Sequence, residues 1–170
     1  MSTELQLLLV LAVVGALAVI AFFTRAGPGR IAAALVASVA VGFFVAVVDA
    51  LAYGPGLWRY PIVDTPIGPP AFYVASGLGY GGGAGLVGWR LVRRFGPRAF
   101  GWFVAFFMGY GPLRDYVGAA SSGLIVFGPG PVPAIADSLA WGAGTALGLG
   151  IVLGIGGPAG ADRLARGAAA

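Results

Sequence analysis

The chain reads as an all-α, polytopic membrane helix bundle: a single domain, residues 1–170, with five transmembrane helices. Three observations predict this. Hydrophobic residues make up 59% of the sequence and charged residues only 9%, against about 25% charged in a soluble domain. The apolar residues gather into runs matched to a hydrocarbon core of about 30 Å. The charges are also sorted along the chain. Eight of the ten arginines fall in three alternating connections: Arg25 and Arg30; Arg90, Arg93, Arg94 and Arg98; Arg163 and Arg166. Five of the six acids, Glu4, Asp49, Asp64, Asp115 and Asp137, lie in or beside the other connections. This is the positive-inside pattern, and it predicts an N-out, C-in, multi-pass protein of the cell membrane.

The first run, residues 5–23, carries Glu4 before it and Arg25 and Arg30 after it. A cleavable signal peptide has the opposite flanks and a shorter apolar core, so this run reads as a retained helix. The second, 31–53, returns outward, and the third, 71–89, comes back and ends at Arg90, Arg93 and Arg94. The fourth, 99–113, is short for a span, which asks Arg114 and Asp115 to snorkel or the bilayer to thin. Residues 117–127 are too few to cross again and read as an interfacial or re-entrant segment. The fifth run, 134–156, returns inward. Gly-Pro pairs at 27, 54, 68, 96, 111, 128, 130 and 157 are expected to stop these helices, since proline cannot continue one. Tyr-Gly-Pro recurs at 53–55 and 110–112, which a duplicated hairpin would produce.

Lipid is as apolar as leucine, so membrane helices associate by close packing, which small residues permit. The second run has Ala34, Ser38, Gly42, Ala46 and Ala50 at every fourth position. The last has Ser138, Gly142, Ala146, Gly150 and Gly154. The third has Gly77, Gly81 and Gly85. The sequence GYGGGAG at 79–85 lacks the Gly-Lys-Ser/Thr of a phosphate loop and follows no strand, so it too reads as a packing surface.

The chain contains no Cys, His, Lys or Asn. That excludes thiolate or imidazole zinc sites, His-ligated haem, Cys or Ser-His nucleophiles and lysine Schiff bases within it. No metal, cofactor or catalytic residue is assigned. The net charge of +4 is explained by arginines facing anionic headgroups, so membrane lipids are the expected partners and nucleic acid is not.

Ionisable residues inside spans are functional hypotheses by default. Asp49 lies about one turn from the end of the second run, and Asp137 about one turn into the last. Arg114, Asp115 and Arg59 complete the candidate polar site, with Arg114 expected between Asp49 and Asp137. Tyr53, Trp58, Tyr60, Tyr73, Tyr110, Tyr116 and Trp141 are available to line it.

The stretch DALAYGPGLWRYP at 49–61, followed by GPPAFY at 68–73, resembles lycopene cyclase-type membrane domains at Asp49, Trp58, Tyr60, Gly68 and Pro70. That family places paired glutamates just after the proline, where this chain has Ala71 and Phe72. The resemblance implies an isoprenoid-binding or terpene-cyclase-like relative without the family's catalytic carboxylates. Three functions remain open from sequence. The first is a non-catalytic subunit, scaffold or assembly factor with protein partners in a membrane complex. The second is a lipid- or isoprenoid-binding protein or enzyme using the Asp/Arg cluster. The third is a small transporter.

Overall fold

The computed structural model describes residues 3–61 and 65–157. Asp64, Arg163 and Arg166 lie outside these, as does the end of the last Gly-Pro pair. The described chain is all-α apart from one two-residue strand pair. Three helices are long and apolar enough to cross a membrane: α1 (Thr3–Thr24), α2 (Pro28–Tyr53) and α6 (Val132–Ile155). Two further rods lie between them. The first comprises α3 (Pro70–Ser76), a π-wound stretch Gly77–Ala84 and α4 (Gly85–Phe95), with helical backbone at both junctions. The second comprises α5 (Arg98–Arg114) and a π-wound stretch Asp115–Ala120. At about 1.5 Å per residue the rods are roughly 39 Å and 35 Å long, slightly less where π-wound.

The second rod changes the reading of residues 99–127. The helix does not stop at the Gly-Pro pair but carries Pro112 inside it and runs on to Ala120. Pro112 has no N–H for the carbonyl of Met108, one turn back. The Ser138 hydroxyl on α6 donates to that carbonyl instead. A neighbouring helix thus satisfies the group that proline frees, as a proline within an apolar bundle requires. The remainder of 117–127 is a turn followed by strand β2 (Val126–Phe127) rather than a separate helix. β2 pairs antiparallel with β1 (Trp58–Arg59), joining Trp58 to Phe127 and Arg59 to Val126. The two Tyr-Gly-Pro segments are therefore not equivalent: one ends α2 and the other lies within α5.

Glycine sets how closely the central rods approach. A Cβ on Gly77 would lie 2.1 Å from the Ser38 carbonyl oxygen, and one on Gly81 2.4 Å from that of Ala37. On the other side, a Cβ on Gly42 would lie 2.8 Å from the Tyr73 carbonyl. The π-wound stretch thus packs backbone to backbone on α2, and α6 joins it where Gly148 meets Gly81. The every-fourth ridges hold only in part. Ala34, Ser38 and Gly42 are buried, but Ala50 is exposed, and Gly150 and Gly154 face open space. A helix has 3.6 residues per turn, so a row of every fourth residue drifts about 40° per step and leaves the interface. On α6 Gly142 of the expected ridge is buried, and the buried face continues through Gly144, Thr145, Gly148, Leu149 and Val152 rather than through Gly150 and Gly154.

The main core joins Ala34, Ala37, Leu86, Trp89, Phe103, Phe107, Leu149 and Val152. α1 lies on the periphery, with Thr24 its one buried residue, and turns Leu7, Leu8, Leu11, Phe22 and Phe23 outward. So much exposed apolar surface suits lipid rather than water.

The acids and most of the arginines separate to opposite ends of the bundle, with Arg59 and Arg114 lying among the acids. Glu4, Asp49, Asp115 and Asp137 lie near one set of helix ends, the acidic end; Arg25, Arg30, Arg90, Arg93, Arg94 and Arg98 lie at the other, the arginine end. Arg30 is not a solvated anchor. It is 2% exposed and lies 4.9 Å over the Trp89 ring. It donates to the carbonyls of Val152 (2.7 Å) and Gly157 (2.5 Å). The Val152 carbonyl also accepts the Gly156 N–H at 3.2 Å, and Gly157 lies just past the end of α6, where a cation is favoured by the helix dipole.

Gly81→Leu is expected to destabilise the bundle by at least the 1–3 kcal/mol or so typical of overpacking, because its neighbour is backbone. Gly150→Leu should shift stability by less than about 0.5 kcal/mol. Denaturant midpoints of the two variants in detergent check this, and equal losses would contradict the assigned interface.

Candidate functional site

At the acidic end α2, the two rods and α6 diverge around a cavity of about 80 Å³. Asp49 comes from α2, Arg114 and Asp115 from the α5 rod, and Asp137 from the first turns of α6. Phe44, Trp58, Tyr60, Phe72, Tyr80, Phe127 and Trp141 supply aromatic walls. The strand pair holds the roof in place. Gly128 donates to the Leu57 carbonyl at 2.8 Å, and its lack of a side chain lets the two loop backbones meet.

The three carboxylates are 4–6% exposed, yet their surroundings differ. Asp49 is satisfied on both oxygens: Trp58 Nε1–H donates to Oδ1 at 2.9 Å and Tyr73 O–H to Oδ2 at 3.1 Å. The Gly68 N–H donates to the Tyr73 oxygen at 2.5 Å, so the hydrogen-bond chain runs from the loop into α2. Asp115 accepts from Arg114 Nη1 at 2.5 Å and from Trp141 Nε1–H at 2.8 Å. Trp141 reaches it because Gly111 leaves the indole room to lie directly on the α5 backbone. Asp137 has no comparable set. Its Oδ2 is buried with no hydrogen-bond partner among the described residues.

The expected bridge of Arg114 between Asp49 and Asp137 is therefore not formed. Arg114 pairs with its sequence neighbour Asp115 and lies 5.8 Å over both the Tyr80 and Trp141 rings. Indole and phenol donors around Asp49 remove its need for an arginine. Arg59 is exposed on β1 and does not line the cavity. The described lining thus carries three carboxylates against one guanidinium. The Tyr60 phenol, in the loop above, has its proton affinity raised, first by burial and then by the neighbouring Asp49 carboxylate.

Of the aromatics named from sequence, Trp58, Tyr60 and Trp141 line the cavity and Tyr73 holds Asp49. Tyr53 and Tyr110 are exposed, and Tyr116 stacks on Phe127 at 4.0 Å. Sequence reasoning missed Tyr80, which lies edge-on to Trp141 at 4.5 Å. The signal was a lone tyrosine in a glycine run. Both π-wound stretches deliver cavity residues, Tyr80 and Asp115, which fits the tendency of such windings to occur at functional sites. No group of three acids with metal-ligand geometry exists among the described residues.

Compared with protein-family models, curated proteins and solved structures, this chain has no match.

Removing Arg114 should leave one Asp115 oxygen unpaired and cost about 1–3 kcal/mol. A double-mutant cycle of Arg114→Ala with Asp115→Asn is expected to show coupling above about 0.5 kcal/mol, exceeding that of Arg114→Ala with Asp137→Asn. The reverse order would mean that Arg114 serves Asp137.

Proposed function

We propose that this chain is a five-span membrane protein, N-out and C-in, that binds an amphiphile in the cavity at its acidic end. The five-span reading is supported by the length of the two inner rods and by the separation of arginines from acids. The ligand reading is carried by one observation: a carboxylate oxygen of Asp137, buried and unpartnered, beside an aromatic-walled cavity. Leaving a buried polar group unsatisfied is costly. A ligand that donates a hydrogen bond there, through a hydroxyl or ammonium head, would relieve the cost. Its apolar body would lie along Val41, Phe44, Val45 and Val48. A mostly apolar pocket with a few convergent polar groups is the usual form of a small-molecule site.

An isoprenoid body is the favoured class, on the resemblance to lycopene cyclase-type domains. Asp49, Trp58 and Tyr60 line the cavity, and Gly68 bonds to the tyrosine that holds Asp49. No acid follows Pro70, and the carboxylates of Asp115 and Asp137 reach the same cavity from other helices. Binding rather than turnover is the reading, because two of the three carboxylates are already fully engaged by protein donors. A scaffold role has no comparable observation behind it. A pivoting transporter helix is disfavoured by the backbone contact of Gly77 and Gly81 with α2.

Native mass spectrometry of protein released from membranes in mild detergent tests this. Wild type is expected to retain an amphiphile that is lost when Val45→Trp fills the cavity and weakened several-fold by Asp137→Asn. Equal retention in wild type and Val45→Trp, or a stoichiometric protein partner in place of a small ligand, would overturn it.

A further inference from the structure

A second cleft, of about 380 Å³, opens at the arginine end and is lined by Arg25, Arg90, Arg93 and Arg94. We propose that it is a binding site for a phosphate-type anion, carried either by a lipid headgroup or by a free phosphate or diphosphate.

The positive-inside rule requires arginines at this end of the bundle but not their convergence. Arg90, Arg93 and Arg94 occupy positions i, i+3 and i+4 on α4, one helical face where like charges repel. A cationic last turn is favoured by the helix dipole, which accounts for Arg93 and Arg94 alone. It does not account for Arg25, which the chain brings to them from the turn after α1. Thr24 closes α1 by bonding its hydroxyl back to the Ile20 carbonyl at 2.7 Å, and Arg25 then adopts φ +55°, a left-handed conformation that side chains disfavour. Arg90 Nη1 donates to the Thr24 carbonyl at 3.2 Å and ties that turn to α4.

The second observation is independent of the first. Arg93 Nη1 is buried and has no hydrogen-bond partner among the described residues, while its guanidinium lies 5.8 Å over the Trp89 ring. A buried guanidinium nitrogen with no acceptor is costly. All the acids among the described residues are at the far end of the bundle, so none of them supplies one. Guanidinium forks match the oxygens of phosphate, which accept several such bonds at once. Four arginines around one cleft suit a multiply charged anion better than a single carboxylate.

The test measures thermal unfolding of the full-length protein in neutral detergent at matched ionic strength, with sodium chloride as the baseline. One arm adds sodium diphosphate. The other adds phosphatidic acid, with phosphatidylcholine as its control. A saturable rise in midpoint is expected in at least one arm. Response to diphosphate identifies a soluble anion, and response to phosphatidic acid alone identifies a headgroup. Arg25 and Arg94 are exposed and their side chains make no hydrogen bond among the described residues, so Arg25→Gln and Arg94→Gln should fold. Each is expected to weaken the apparent Kd at least fivefold, whereas Arg59→Gln at the acidic end leaves it unchanged. No rise above the chloride baseline in either arm, or wild-type affinity in both arginine variants, would overturn the proposal.

Discussion

Everything at the acidic end depends on how closely the glycine-rich rod approaches α2. Gly77 and Gly81 lie against the carbonyls of Ser38 and Ala37, at a separation that forbids any side chain. Without a hydrophobic driving force between helices in lipid, such packing is the main source of cohesion. The contact also carries function-bearing groups. It sets Tyr73 within hydrogen-bond reach of Asp49 and turns Tyr80 toward Trp141 and Arg114. The eight-residue π winding of Gly77–Ala84 lies in this contact. Wider π turns re-aim side chains relative to an α-helix, so contact and cavity are linked by one piece of backbone.

Polar groups are managed differently at the two ends. At the acidic end, indole and phenol donors satisfy Asp49, and Asp115 uses an arginine and an indole, while Asp137 keeps an oxygen in reserve. At the arginine end Arg30 is consumed in closing α6, and Arg90 in tying α1 to α4. Arg25 and Arg94 remain exposed there. Among the described residues, the acidic end thus keeps a buried acceptor without a protein partner on Asp137, and the arginine end keeps buried donors on Arg93 and Trp89. Opposite chemistry at the two ends follows from the charge sorting of the chain itself.

Much of this was legible in the sequence. Hydropathy runs predicted all three long apolar helices within a few residues, and the glycines of the third run were read as a packing surface. Gly-Pro pairs marked most helix ends. The pair at Gly111-Pro112 misled, because rescue of the Met108 carbonyl by Ser138 depends on a helix distant in sequence. Ridges drawn at every fourth residue failed toward Ala50 and Gly154, since the true period is 3.6. For the site, Asp49, Asp115, Asp137 and Arg114 were found as intramembrane or near-membrane charges. Their pairing was not, because a formal-charge argument overlooks neutral donors: Trp58, Tyr73 and Trp141 took the roles expected of arginine. The roof formed by β1 and β2 was invisible, as two residues per strand leave no periodicity to read.

The central claim is a bundle whose chemically opposite ends lie on opposite sides of a membrane. Single cysteines introduced into this cysteine-free chain as Arg59→Cys and Arg94→Cys, probed in intact cells with a membrane-impermeant maleimide, test it most directly. Position 59 should label from outside and position 94 only after permeabilisation. Labelling of both positions in intact cells would contradict the account.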